Sequence, residues 1–130
     1  MTLEEIRNAV ITRMTAQTAI ASGDVRYPND KTYDPTGKTI WARLTNIPGL
    51  AGANEIGNGP VVHRTGVLII QIFVPAGSGS LLITRTADKL RELFEFKTDG
   101  RLEYFAVSAV DAGETDGWQQ YNLQIPYRAL

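Results

Sequence analysis

Leu3, Ile6, Val10 and Met14 recur at helical spacing, opposite Glu4, Arg7, Asn8 and Gln17. This pattern predicts an amphipathic helix close to the start of the chain. Thr2 and Glu5 form a capping-box pair in front of it, with Met1 and Ile6 at the staple positions. The helix is expected to run from about Leu3 to Ala21 and to stop at Ser22-Gly23. Beyond it the period changes to alternation. Asp24-Val25-Arg26-Tyr27 predicts a short strand ended by Pro28, and Asn29 to Gly37 contains Asp-Pro-Thr-Gly, a type I turn. Ile40, Ala42 and Leu44 then share one strand face, and Trp41, Arg43 and Thr45 the other. Asn46 to Pro60 has many Gly, Asn and Pro residues and little periodicity, which predicts a long loop, either a binding loop or a surface excursion. Val61 to Val74 is apolar on both faces in its inner part, which predicts a central strand covered by helices.

A second helix is expected from near Ser78 or Ser80, with Ile83, Ala87, Leu90 and Phe94 as its buried stripe. Thr98-Asp99-Gly100 reads as a turn, Arg101 to Val110 as a strand, and Ala112 to Gly117 as a polar loop. Trp118 to Tyr127 closes the chain as a strand with Tyr121, Leu123, Ile125 and Tyr127 on one face. Gln120, Asn122 and Gln124 on its other face predict contact with water or a polar partner. The order is α-β-β-β-α-β-β. Strands in runs argue an α+β fold: a single mixed, mainly antiparallel sheet of about five strands with two helices packed on it.

Composition narrows the class. At 130 residues and 43% hydrophobic, the chain is expected to form one domain, spanning residues 1–130. A net charge of −1 with interspersed signs gives no basic footprint for sequence-specific nucleic-acid binding. With no cysteine, disulfides and thiolate metal sites are excluded. The acidic start lacks an apolar core, so a signal peptide is not expected. No apolar run approaches the ~18 residues of a membrane span.

The region most inviting for chemistry is Pro75-Ala76-Gly77-Ser78-Gly79-Ser80, lying between a strand and a helix. A phosphate loop of the Walker type requires Gly-Lys-Ser/Thr, because the lysine neutralises phosphate and the hydroxyl holds magnesium. Here Gly79-Ser80 is followed by Leu81-Leu82, and Leu82 also takes the third glycine position of a dinucleotide fingerprint. A connection with a serine cap is the plainer expectation. His63 is the single histidine, which is too little for a usual zinc site. No Gly-x-Ser-x-Gly elbow supplies a nucleophile for it. Asp24, Asp30 and Asp34, and likewise Asp111, Glu114 and Asp116, lack the spacing of a calcium loop and read as solvated turns. No catalytic residue, metal or cofactor is expected.

With chemistry set aside, the run Arg64-Thr65-Gly66 into Val67–Gly79 resembles the tail-terminator-like (tail completion or neck) proteins of long-tailed bacteriophages. So do the helix ending Ala87-Asp88-Lys89-Leu90-Arg91-Glu92-Leu93-Phe94, the Trp41-Ala42-Arg43-Leu44 strand, and the closing Gln124-Ile125-Pro126-Tyr127-Arg128. The resemblance covers nearly the whole chain, and its motifs are structural. It implies a virion subunit at the tail–neck junction, made in the host cytoplasm. It implies a ring, commonly a hexamer, that caps the head-proximal end of the tail tube, stops its polymerisation and offers a joining surface to the head. Its partners would be further copies, the tail tube protein and a neck or head-completion protein. Arg43, Arg64, Arg101 and Arg128, with Trp41 and Trp118, are the expected contact residues, since Arg and Trp dominate interface energetics. The alternative for each arginine is an ordinary surface role. For the chain, the alternatives are another neck connector or an assembly adaptor.

Overall fold

The computed structural model of this chain describes residues 1–53 and 62–130, with side chains described at 1–49 and 63–130. In chain order the elements are α1 (Leu3–Thr15), a 3-10 turn (Ser22–Asp24), β1 (Val25–Arg26), β2 (Trp41–Ala53) and β3 (Val62–Pro75). There follow α2 (Leu81–Phe94), β4 (Thr98–Asp99), β5 (Leu102–Tyr104), β6 (Ser108–Thr115) and β7 (Trp118–Ala129).

The capping box forms as the sequence predicts. The Glu5 amide donates to the Thr2 hydroxyl and the Thr2 amide to the Glu5 carboxylate, both at 3.1 Å. The helix ends at Thr15, well short of Ala21. The cause is Gln17, whose side chain accepts from the Ile20 amide at 2.9 Å and donates to the Ile20 carbonyl at 2.6 Å. That clamp turns the chain so that Ile20, only 3% exposed, enters the core.

The expected five-strand sheet and its α-β-β-β-α-β-β order are wrong. Among the described residues the sheet has seven strands, ordered β1-β2-β3-β7-β5-β4, with β6 also paired to β7. It is curled, and strand accounts for 42% of the chain. The β1–β2 ladder is parallel and the others are antiparallel. The miscount arises between Thr98 and Thr115. Thr98-Asp99 pairs back on Leu102-Glu103, so the expected turn is a small hairpin through Gly100. The expected Arg101–Val110 strand is broken after Tyr104. At the break the Phe105 amide donates to the Pro126 carbonyl at 2.9 Å, but Pro126 has no N–H to return. The Val107 amide turns away to the Glu95 carboxylate at 2.9 Å. Pairing resumes at Ser108, and the expected polar loop is mostly strand β6. Asp116 (φ 52°) and Gly117 (φ 81°) close the β6–β7 hairpin, as a two-residue turn with both centres left-handed requires.

The expected loop from Asn46 is also corrected. Residues through Ala53 continue β2 against β3, with a register shift between Pro48 and Ala51. The remainder of that expected loop, 54–60, lies outside the described residues.

One face of the sheet carries the core. Leu68, Ile70, Ile72 and Val74 of β3 lie beside Ala42 and Leu44 of β2 and Leu123, Ile125 and Tyr127 of β7. Ile6, Val10 and Met14 of α1 and Ile83, Ala87, Leu90 and Phe94 of α2 pack on that same face. Both helices therefore cover one side, and the expectation that β3 is helix-covered on both faces does not hold.

Candidate interaction surface

The other sheet face follows from strand alternation. Cross-strand rows place Trp41 beside Phe73 and Gln120, then Arg43 beside Gln71 and Asn122, then Thr45 beside Ile69 and Gln124. Trp41 stacks on Phe73 with ring centroids 4.1 Å apart and planes 12° from parallel. Tyr33 tilts against Trp41 at 5.4 Å, and Trp118 meets it edge-on at 6.0 Å. This packing, without any helix, holds Phe73 to 7% exposure. The Arg43 guanidinium lies 5.7 Å from the Phe73 ring and donates to the Gln71 side chain at 2.7 Å. Farther along the sheet, Arg128 donates to the Glu103 carboxylate at 2.9 Å and lies 5.9 Å from the Phe105 ring. Ile47, 50% exposed, continues the face. The surface is thus an aromatic cluster with flanking guanidinium groups and amides, a composition found in the centres of protein interfaces.

Of the expected contact residues, Trp41, Trp118, Arg43 and Arg128 share this open face. Arg64 and Arg101 do not. Arg64 Nε donates to the Met1 carbonyl at 3.1 Å, and the Arg101 carbonyl accepts from the Leu130 amide at 3.2 Å. Both therefore stand where the chain ends meet, alongside the bond from the Met1 amino group to the Leu130 carbonyl. Sequence reasoning missed Phe73 and Tyr33. Phe73 was legible as the cross-strand neighbour of Trp41 only once the register was known, and Tyr33 sits in an irregular segment with no periodicity.

The glycine-rich connection behaves as a turn. Ser78 Oγ donates to the Pro75 carbonyl at 2.7 Å, and Gly77 (φ 82°) and Gly79 (φ 86°) take left-handed conformations. The expected serine cap is absent. Ser80 has φ −105° and ψ −8°, and its side chain makes no capping bond. Its carbonyl instead accepts from the Thr84 hydroxyl at 2.7 Å.

The acidic residues of the β1–β2 connection are engaged locally. Asp24 accepts from the Tyr33 hydroxyl at 2.9 Å and lies 3.2 Å from Lys38. Burial and this bond raise the Tyr33 phenol to about 12, while the same bond first, and Lys38 next, lower Asp24. Asp34 accepts from the Thr36 amide and hydroxyl. Among the described residues no group of His, Asp and Glu could hold a metal ion. The most elaborate polar cluster ties helix to hairpin. Arg13 grips both Asp99 oxygens at 2.8 Å and donates to the Leu93 carbonyl at 2.8 Å, and Tyr104 donates to Asp99 at 2.9 Å. Every group in it is satisfied by another, which marks it as structural.

A solved structure shares the fold with a TM-score of 0.74 at 21% identity, covering 100% of this chain and 96% of that one. No curated protein matches this chain. A family model described as phage tail terminator protein matches residues 5–117, which takes in most of α1, all of α2 and β1 to β6, and ends before β7. The chain therefore belongs to the phage tail terminator protein family.

Proposed function

We propose that this phage tail protein forms a closed ring, of six copies as the family resemblance implies, on the head-proximal end of the tail tube. The ring ends tube polymerisation and presents a surface for the head or neck to join. The observation that carries this reading is the family match over residues 5–117. The uncovered sheet face, with Trp41, Trp118, Arg43 and Arg128, supplies contact area for the tube or a neighbouring copy. Arg64, whose side chain bonds the Met1 carbonyl, stands apart from that face and is the candidate for a second contact. A ring needs two different patches, because a head-to-tail contact closes by rotation only when unlike surfaces meet.

The test is tube assembly with and without the purified chain. Tail tube protein polymerised alone is expected to give tubes of unregulated length. Added chain is expected to arrest growth and to appear as a cap at one end in electron micrographs. A chain that stays strictly monomeric with and without tubes, and leaves tube length unchanged, overturns the proposal. A chain that binds tail proteins but is absent from purified virions by mass spectrometry is an assembly adaptor instead.

A further inference from the structure

The sheet has two open edges of different character. β2 is paired on its outer side by β1 only at Ala42 and Arg43. Among the described residues no strand pairs with the outer side of Leu44 to Ile47, up to Pro48, which has no N–H to offer. At the other side, among the described residues, β6 pairs with β7 alone, and every residue of Ser108–Thr115 is exposed. A hairpin arm bare on both faces and along its outer edge is marginal by itself. An unprotected edge is a template for another strand.

Strand direction says which strand fits. The ladders from β2 through β3 and β7 to β6 are all antiparallel, so β6 runs opposite to β2. A second copy rotated about an axis along the strands therefore presents its β6 antiparallel to β2. The charges match in part, since Glu4 lines the β2 edge beside Arg7. Asp111, Glu114 and Asp116 lie on the β6 arm, and no Lys or Arg occurs from Ser108 to Gln124. Arg7 and Arg43 flank the β2 edge, where their side chains bond the Asn8 and Gln71 amides and have no acidic partner among the described residues. A mainly apolar groove of about 380 Å³ runs beside the edge, lined by Leu3, Glu4, Arg7 and Ile11 of α1 and by Leu44 and Pro48 of β2. Ala109 and Asp111, paired to Leu123 and Tyr121, stand on the helix side of β6, the side on which that groove opens. Strand addition uses both elements, main-chain bonds for affinity and a groove for alternate side chains.

We infer that the β6 edge of one copy pairs antiparallel with the Leu44–Ile47 edge of the next, so that a continuous sheet joins neighbouring copies. This rests on the ring reading above and names the contact that closes it.

The chain has no cysteine, which permits a clean test by mixed crosslinking. Thr45→Cys reports the β2 edge, and Ser108→Cys or Val110→Cys, one pairing step apart, report β6. All three positions are exposed, so folding is not at risk. Under mild oxidation, with oligomeric state followed by native mass spectrometry and with tail tubes added in a parallel arm, the Thr45→Cys variant mixed with a β6 variant is expected to give a covalent heterodimer. Its yield should exceed that of either self-pair several-fold. Dominant 45–45 or 110–110 products mean that like edges meet and overturn the head-to-tail pairing. Oligomers without any of these crosslinks overturn the edge contact and leave the ring reading standing. A strict monomer in both arms overturns both.

Discussion

Gly66 shows how one residue sets a packing arrangement. It faces Tyr127 across the β3–β7 ladder, and the Tyr127 ring lies over the space a Cβ would fill. The hydroxyl then continues to Asn46 on β2, donating at 2.9 Å. A single side chain thereby spans three strands because the middle one has none. Gly66→Ala is expected to cost about 1–3 kcal/mol through overpacking, read as a lower urea midpoint with unchanged slope. Ala at Gly23, where the added Cβ meets nothing and no left-handed φ is required, should be near neutral. The Arg13–Asp99–Tyr104 cluster makes a pH prediction. Its bond from Arg13 holds the Asp99 carboxyl below its ordinary value, against the opposing effect of burial. The folded state then binds that proton less readily than the unfolded chain, so the stabilisation is complete above the ordinary Asp value of about 4 and is lost as pH falls through the folded one. Asp99→Asn should lower stability at neutral pH and shrink the acid-induced loss, as denaturation from pH 7 to 3 would show.

At the scale of elements, pattern and register divide the outcome. The stripes of α1 and α2 and the alternation of β7 were legible because a helix or strand that buries one face must repeat its apolar positions. The end of α1 was not, since Gln17 acts through its side chain on Ile20 and leaves no periodic mark. The β5–β6 break was hidden in the same way, because its cause, Pro126, lies on the partner strand. The Asp116-Gly117 turn did carry a local signal, an Asp-Gly pair before an alternating strand. Gly117→Ala, at φ 81°, should destabilise the β6–β7 hairpin by about 1 kcal/mol. In the free chain, amides on the outer edge of β6 should exchange with solvent far faster than those of central β3, and assembly should slow them. Equal protection of β6 before and after assembly would contradict a role for that edge.

At the scale of the whole molecule, both helices on one face leave the other face to Trp41, Phe73 and Trp118. The chain has two tryptophans, and both are in this cluster, so intrinsic emission reports this face alone. Burial of the face on ring or tube assembly should shift the emission to shorter wavelength. Arg43→Glu, at an exposed position, should weaken assembly at least several-fold while leaving the denaturation midpoint within about 0.5 kcal/mol of the parent. An unchanged assembly profile would remove Arg43 from the interface.

The sequence by itself determined most of what buries on the one-sided elements: Ile6, Val10 and Met14 of α1, the stripe of α2 and the alternating faces of β2 and β7 follow from periods that any such element must obey, although Leu3 is exposed and β3, apolar on both faces, gave no side. It also sufficed to exclude the familiar phosphate and metal motifs, and to point to the family that the match over residues 5–117 bears out. Tertiary structure alone decided the strand count, the side on which both helices lie, and the gathering of Trp41, Trp118, Arg43 and Arg128 on one face apart from Arg64 and Arg101. These depend on pairing between segments distant in the chain, as when Pro126 breaks the strand opposite it, and a local pattern holds no record of which partner it will meet.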